Sequence, residues 1–283
     1  MHYKQPHFQI RANGIVAYWL PLDAGHRRKS LQHPSLSTYS GKVTEGAKRR
    51  LMSALDILVQ RAEVRAEAAA RADEPPKMVM NFVTLTLAEQ RNLEVKEAYE
   101  KLLRPWLRYM KDKAGMKDYV WKAEYQKRGQ VHYHLATDIY LDWKTVRWKW
   151  NQLQRQERHL DAFALKYGHF NPNGTDVHPM RSVNDCLSYI GKEMCKNMQN
   201  QKVTKGKIWD CSESLKKGRY ACEMTEENEA LIDDALQHGF AEKIELENCI
   251  VIRCQTPRKI LTEDQLNRYH THIFHENSTH PPT

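Results

Sequence analysis

Apolar positions along the 283-residue chain change period several times. From Val43 to about Arg71 the spacing is helical, with Leu51, Leu55, Leu58 and Val59 on one stripe and Arg49, Arg50 and Arg61 off it. An alanine-rich stretch and Asp73-Glu74-Pro75-Pro76 close this helix. After Pro76 the period becomes two. In MVMNFVTLTL, Val83, Leu85 and Leu87 share one face and Phe82, Thr84 and Thr86 the other, the pattern of a strand with one covered side. The next segment supplies the cover, because Val95, Tyr99, Leu102, Leu103, Trp106, Leu107 and Met110 recur at helical spacing. Pro105 should kink or divide that helix. YVWKAEYQKRGQVHYHLAT then reads as a β-hairpin turning at Arg128-Gly129. A three-residue turn sets Glu124 opposite His134 and Gln126 opposite His132, with Trp121, Ala123, Tyr125, Val131, Tyr133 and Leu135 on the core side.

Further along, DWKTVRWKWNQLQRQER predicts a helix from Asp142. Trp143, Val146, Trp150 and Leu153 lie on one side, and Lys144, Arg147, Arg155 and Arg158 are spread around it. Tryptophans at this spacing are expected in the core rather than as base-stacking platforms. SVNDCLSYIGKEMCKN starts with a capping-box pattern, Ser182 and Asp185. Its apolar stripe is Val183, Leu187, Ile190 and Met194, while Tyr189 shares the opposite side with Asp185, Lys192 and Lys196. TEENEALIDDALQHG predicts a capped helix ending at Gly239, and KIELENCIVIRCQ a strand or hairpin. The expected organisation is an N-terminal extension with a long helix over 1–76, a main domain with C-terminal elaboration over 77–261, and a mobile tail over 262–283.

Composition narrows the function classes. Lys+Arg 44 against Asp+Glu 35 gives a formal charge of +9, which favours a polyanionic partner, nucleic acid before membrane. No apolar run reaches the roughly 20 residues of a membrane span, and MHYKQPHFQI lacks a signal core. Six cysteines without a CxxC pair fit free, structural thiols in a reducing cytoplasm. GKVTEGAK imitates a phosphate loop, but Ala47 and Lys48 stand where Lys and Ser/Thr are required, so an ATPase is rejected.

The chemistry concentrates on the polar face of the hairpin. Two histidines at i, i+2 on a strand are often merely solvated. With Glu124 on the neighbouring strand, however, His132 and His134 form a three-ligand cup with open positions, suited to a divalent ion that also holds a substrate oxygen. A tyrosine on a cationic polar face, as at Tyr189, would by default snorkel at the rim of the core. Beside a metal cup it becomes a candidate nucleophile.

FVTLTL, VHYHL and YIGK, in that order, resemble the three motifs of the HUH endonucleases (histidine, hydrophobe, histidine). The resemblance is to the rolling-circle replication initiator type of small bacterial plasmids and single-stranded DNA phages. It spans about Met78 to Lys196, and GKIWDCSESL resembles a segment that follows the tyrosine helix in such proteins. It implies an α+β, ferredoxin-like or RRM-like domain with a central antiparallel sheet, one Mg²⁺ or Mn²⁺ ion, and single-stranded origin DNA as substrate in a bacterial cytoplasm. A separate helicase and the host replication machinery would be partners. By position, His132, His134 and Glu124 become metal ligands, Tyr189 the nucleophile and Lys192 its cationic companion. Thr84, Thr86, Arg128, Lys144, Arg147 and Lys196 are the expected DNA contacts. The tyrosine follows the histidines, unlike in relaxases, and Glu193 stands where a second tyrosine would. A single-tyrosine HUH transposase, or a non-enzymatic nucleic-acid-binding protein with a structural metal, are the alternatives.

Overall fold

The computed structural model describes residues 4–21, 43–70, 80–88, 93–126, 129–180, 191–195 and 206–274. In chain order the strands are β1 (Lys4–Arg11), β2 (Gly14–Pro21), β3 (Met80–Thr86), β4 (Tyr119–Tyr125), β5 (Val131–Thr137), β6 (Thr175–Met180), β7 (Trp209–Cys211), β8 (Ala221–Glu223), β9 (Ala241–Glu245) and β10 (Ile250–Cys254). The first five α-helices are α1 (Glu45–Ala69), α2 (Val95–Ala98), α3 (Arg104–Ala114), α4 (Trp143–Gln156) and α5 (Asp161–Tyr167). Contacts group Met1–Thr38 with Lys217–Thr283, and Tyr39–Lys216 separately. The division therefore runs elsewhere than at residues 76 and 261.

The Tyr39–Lys216 unit carries an antiparallel sheet in the order β6-β3-β5-β4-β7. Without β7 this is a β-α-β-β-α-β arrangement with β3 and β5 in the centre, the ferredoxin-like order. The α+β class expected from the motifs is the class observed. Val83, Leu85, Trp121, Ala123, Tyr133 and Leu135 form one face, and pack with Leu102, Leu103, Trp106, Val146 and Trp150 from the covering helices. Pro105 divides its helix as expected, through a π-helical turn at Tyr99–Leu103 in which the Arg104 N–H reaches back to Tyr99 O. The wider turn accommodates a ring that would otherwise crowd the preceding carbonyls.

The hairpin differs from its expected register. Glu124 pairs with His132 and Lys122 with His134, because the loop is closed by Gln126 and Gln130 (Gln126 N to Gln130 O, 2.9 Å) with Gly129 at φ 84. The loop is therefore two residues longer than a three-residue turn. An even slip keeps every side chain on its predicted face while changing its partner.

On the second face Met80, Phe82, Val120 and Ala136 are buried, and α1 lies against β4, β7 and the helix Gly191–Cys195. α1 begins at Thr44, whose side chain accepts from Ala47 N (3.1 Å), and buries Leu51, Leu55, Leu58 and Val59 as predicted. Arg61, read as lying off the stripe, is buried as well. It binds Asp118 at 2.7 Å, and Arg65 bridges Asp118 (3.0 Å) and Asp138 (2.6 Å). A buried guanidinium is tolerated only with such a partner.

In the other unit the sheet order is β8-β1-β2-β10-β9. The N-terminal segment is thus a strand pair, not only an extension before a helix. A Cβ on Gly14 (φ 152) would stand 2.1 Å from Ile252 O, so β10 requires glycine there. The capped helix occupies Glu226–Gln237, with Thr225 and Asn228 forming its capping box, and β9 and β10 form the expected hairpin. The tail expected from residue 262 is corrected over Glu263–Phe274. That segment is a helix burying Gln265, Tyr269 and Ile273, a helical spacing too. The stretch HENSTHPPT lies outside the described residues. Cys211, Cys222, Cys249 and Cys254 are free, as expected.

Asp118→Ala takes the carboxylate from both arginines and is expected to destabilise the chain by about 3 kcal/mol, the scale of a broken buried ion pair. Urea unfolding followed by circular dichroism measures the loss.

Candidate metal centre

The site is built where three strands align their even-numbered residues. β5 contributes His132 and His134, β4 contributes Lys122 and Glu124, and β3 contributes Thr84 and Thr86 opposite the two histidines. One donor atom from each of Glu124, His132 and His134 lies within 4.8 Å of the others. The imidazoles meet edge to face at 4.5 Å between centroids, and Phe82 stacks on His134 at 5.5 Å. His132 and His134 are buried, at 8% and 7% exposure, so neither is the solvated strand histidine that the sequence left open.

Each ligand candidate is held by a neighbour. Nδ1 of His132 lies 2.7 Å from Thr86 Oγ1 and 3.0 Å from Gln126 Nε2, which leaves Nε2 as its free lone pair for an ion. His134 Nε2 and Glu124 Oε1 are 3.1 Å apart. Two donors each about 2.1 Å from an octahedral ion stand about this far apart, so the pair has the spacing of adjacent ligands. The other oxygen, Glu124 Oε2, accepts from Lys122 Nζ at 3.1 Å, and the same ammonium donates to Glu193 O at 3.4 Å. One carboxylate oxygen is thereby occupied and the other faces the imidazoles. Two nitrogens and an oxygen form a donor set that fits a divalent ion and leaves positions open.

Electrostatics keep these donors in ligand form. Burial alone would raise the Glu124 carboxyl from 4.5, but the His134 hydrogen bond and the Lys122 ammonium outweigh it and hold it at about 2. Burial, reinforced by His134 and Lys122 against the pull of Glu124, lowers His132 from 6.5 to about 4. A neutral imidazole is the form that binds metal.

Lys122 is the residue that sequence reasoning missed. Its place on the Glu124 face was legible from alternation, but full burial of its side chain was not. Thr86, expected as a DNA contact, has its hydroxyl engaged by His132, while Thr84 is half-buried beside His134. Lys192 is exposed on the helix Gly191–Cys195. Lys144 and Arg147 sit on α4 and line a groove with Trp143 and Trp148 rather than the cup. Tyr189, Arg128 and Lys196 lie outside the described residues.

Residues 80–198 match a family model described as Replication-associated protein, of the ORF2 type. The match covers less than half of the chain, from the first residue of β3 past the helix Gly191–Cys195, and contains the whole cup and YIGK. No curated protein and no solved structure matches the chain. Among the described residues no helix is long and apolar enough to cross a membrane.

The geometry of the cup sets its metal preference. His132→Ala with His134→Ala should abolish Mn²⁺ binding in calorimetry, and Mn²⁺ should bind the native protein more tightly than Mg²⁺. Thr86→Val should keep the fold but weaken Mn²⁺ binding by about 10- to 100-fold, since it frees the ring it orients. The pKa values set a pH dependence too. His132 and Glu124 both titrate below their ordinary values, so the folded state binds fewer protons than the unfolded one. Their contribution to stability is complete above pH 6.5. It is lost as pH falls, from 6.5 towards 4 for His132 and from 4.5 towards 2 for Glu124. In metal-free buffer, His132→Gln should flatten the melting temperature profile between pH 6.5 and 4.

Proposed function

We propose that the chain is a replication initiator that nicks single-stranded origin DNA through Tyr189 and later rejoins the strands. The observation carrying this reading is the buried His132–His134–Glu124 cup, lying with the YIGK segment inside one span similar to replication-associated proteins. The sequence order of cup strand and tyrosine, and the net charge of +9, support it further.

A phenol with pKa about 10 is a weak nucleophile at neutral pH, and a phosphodiester repels anions. A divalent ion in the cup would supply positive charge to a non-bridging phosphate oxygen. The chain's own residues do the rest. Tyr189 Oη attacks phosphorus as its proton departs, the bond from phosphorus to O3′ breaks, and the leaving oxygen takes up a proton as the 3′-hydroxyl. The product is a 5′-phosphotyrosyl link. Because the phosphoester is exchanged rather than hydrolysed, attack by a DNA hydroxyl reverses the step without ATP.

Two lysines divide the electrostatic work. Lys192, three residues after Tyr189 and exposed, favours phenolate and offsets charge developing on the phosphate. Lys122 joins Glu124 Oε2 to Glu193 O, so one ammonium links the cup to the backbone four residues beyond the nucleophile. The helicase activity and the replication machinery come from separate proteins, and the reaction belongs to the cytoplasm of a bacterial cell.

The test is covalent capture. The protein is incubated with a labelled library of single-stranded oligonucleotides and Mn²⁺, and adducts are resolved on a denaturing gel. Tyr189→Phe should eliminate the adduct while folding and DNA binding persist. Lys192→Ala should slow adduct formation without abolishing it, because groups acting together on one charge are seldom individually indispensable. An adduct in Tyr189→Phe, or its absence from the native protein with every oligonucleotide, overturns the reading.

A further inference from the structure

α4 carries two different apolar faces. Val146, Trp150 and Leu153 point into the core, at 0%, 0% and 6% exposure. Trp143 and Trp148 remain 47% and 54% exposed, which corrects the expectation that Trp143 joins the core stripe. Trp143 belongs to the first turn of α4, and the buried positions of the helix begin at Val146. An indole left half in water loses much of what its burial would contribute to stability.

These two indoles are set among cations. Arg147 lies over Trp143 at 4.9 Å, and Lys144 over the same ring at 5.7 Å. Lys149 lies over Tyr109 at 4.8 Å and over Trp148 at 6.0 Å, and Tyr109 itself packs against Trp148 at 5.8 Å between centroids. Arg155 covers Phe170, which is 40% exposed, at 4.5 Å. Trp143, Trp148, Phe170 and the cations Lys144, Arg147 and Arg155 line a groove of about 600 Å³, and among the described residues no carboxylate lines it.

The groove is rigidly backed and connected to the cup. Asn151 Nδ2 donates to Asn171 Oδ1 (2.9 Å) and Pro172 O (3.1 Å), and Arg147 donates to Asn173, which fixes the facing loop to α4. The loop ends at Gly174, whose carbonyl accepts from Thr86 N at 2.7 Å. A Cβ there would lie 2.8 Å from Thr86 O, so the close approach requires glycine. Thr86 is the residue whose hydroxyl meets His132, and Trp150 Nε1 donates to its carbonyl at 2.9 Å.

We infer that this groove is a stacking subsite for single-stranded DNA, taking unpaired bases on Trp143 and Trp148 and phosphates on Arg147, Arg155 and Lys144. The inference rests on the proposed reading for its biological setting, but not for its chemistry. Exposed indoles interleaved with guanidinium groups suit a chain that alternates flat apolar faces with anions. A duplex keeps its base faces stacked internally, and an acidic peptide offers charge without flat faces. Neither satisfies both halves of the groove. The substrate class is therefore single-stranded, with little demand on base identity, because every base has a π-face.

Fluorescence anisotropy with a fluorescein-labelled oligothymidylate, in EDTA, separates this site from the cup. Trp143→Ala combined with Trp148→Ala should weaken binding about tenfold or more, with the melting temperature unchanged because both rings are surface-exposed. Trp143→Phe with Trp148→Phe, which keeps a ring at each position, should recover part of the loss. Arg147→Gln with Arg155→Gln should lower the slope of log affinity against log salt by about 1.4, at ~0.7 for each phosphate no longer neutralised. Native affinity in the double alanine variant, equal affinity for a duplex of the same length, or equal competition by polyglutamate would each overturn the subsite. The two proposals fail separately. Loss of oligothymidylate binding in the groove variants without any tyrosine adduct sustains the subsite and removes the nicking reading. A Tyr189-dependent adduct with unaltered binding in the groove variants does the reverse.

Discussion

A charge taken out of water must be paired, and the polar face of β5 concentrates that demand. Glu124 and Lys122 sit two residues apart on β4, within bonding distance of each other, with Glu124 also bonded to His134 and the ammonium wholly buried. None of these groups is acceptable there alone. Together they fix the carboxylate so that one oxygen is held by lysine and the other faces the imidazoles. The remainder of the sheet serves to keep three strands in the register that makes this pairing possible.

That register depends on close backbone approaches as much as on side chains. Thr86 is held by Gly174 through its N–H and by Trp150 through its carbonyl, and its hydroxyl orients His132. A core tryptophan, a loop glycine and a ligand candidate are thus joined at one residue. A disturbance of packing beneath the sheet reaches the imidazole through two hydrogen bonds, which gives a second reason for Trp150 to be fully buried.

The proposed chemistry places opposite requirements on the two faces of this unit. A metal cup needs buried, neutral donors with fixed geometry, and the low-dielectric face between strands and α1 provides them. Holding a flexible polyanion needs exposed rings and cations, which a helix surface presents without unsatisfied backbone groups. Assigning the first to the sheet and the second to the outer side of α4 lets each be met without compromising the other.

Alternation along β3, β4 and β5 was enough to separate core face from polar face, and with the order of the three motifs it placed His132, His134 and Glu124 together. It could not name who stands opposite whom. A three-residue and a five-residue loop give the same parity, so the faces agree while the partners shift by two, and Lys122 rather than Glu124 lies across from His134. Burial of Lys122 and Arg61 was equally illegible, since a charged residue is stable inside only when a distant chain segment supplies its counter-charge. The pairing of β2 with β10 joins segments more than two hundred residues apart in sequence. An Asn-Gly pair such as Asn13-Gly14 favours a local hairpin, but nothing local encodes its third strand. Helical period placed Trp143 and Trp150 on one stripe. Only the packed neighbours decided that Trp150 is core and Trp143 is surface, because a periodic pattern records direction around a helix and not where along its length the packing begins.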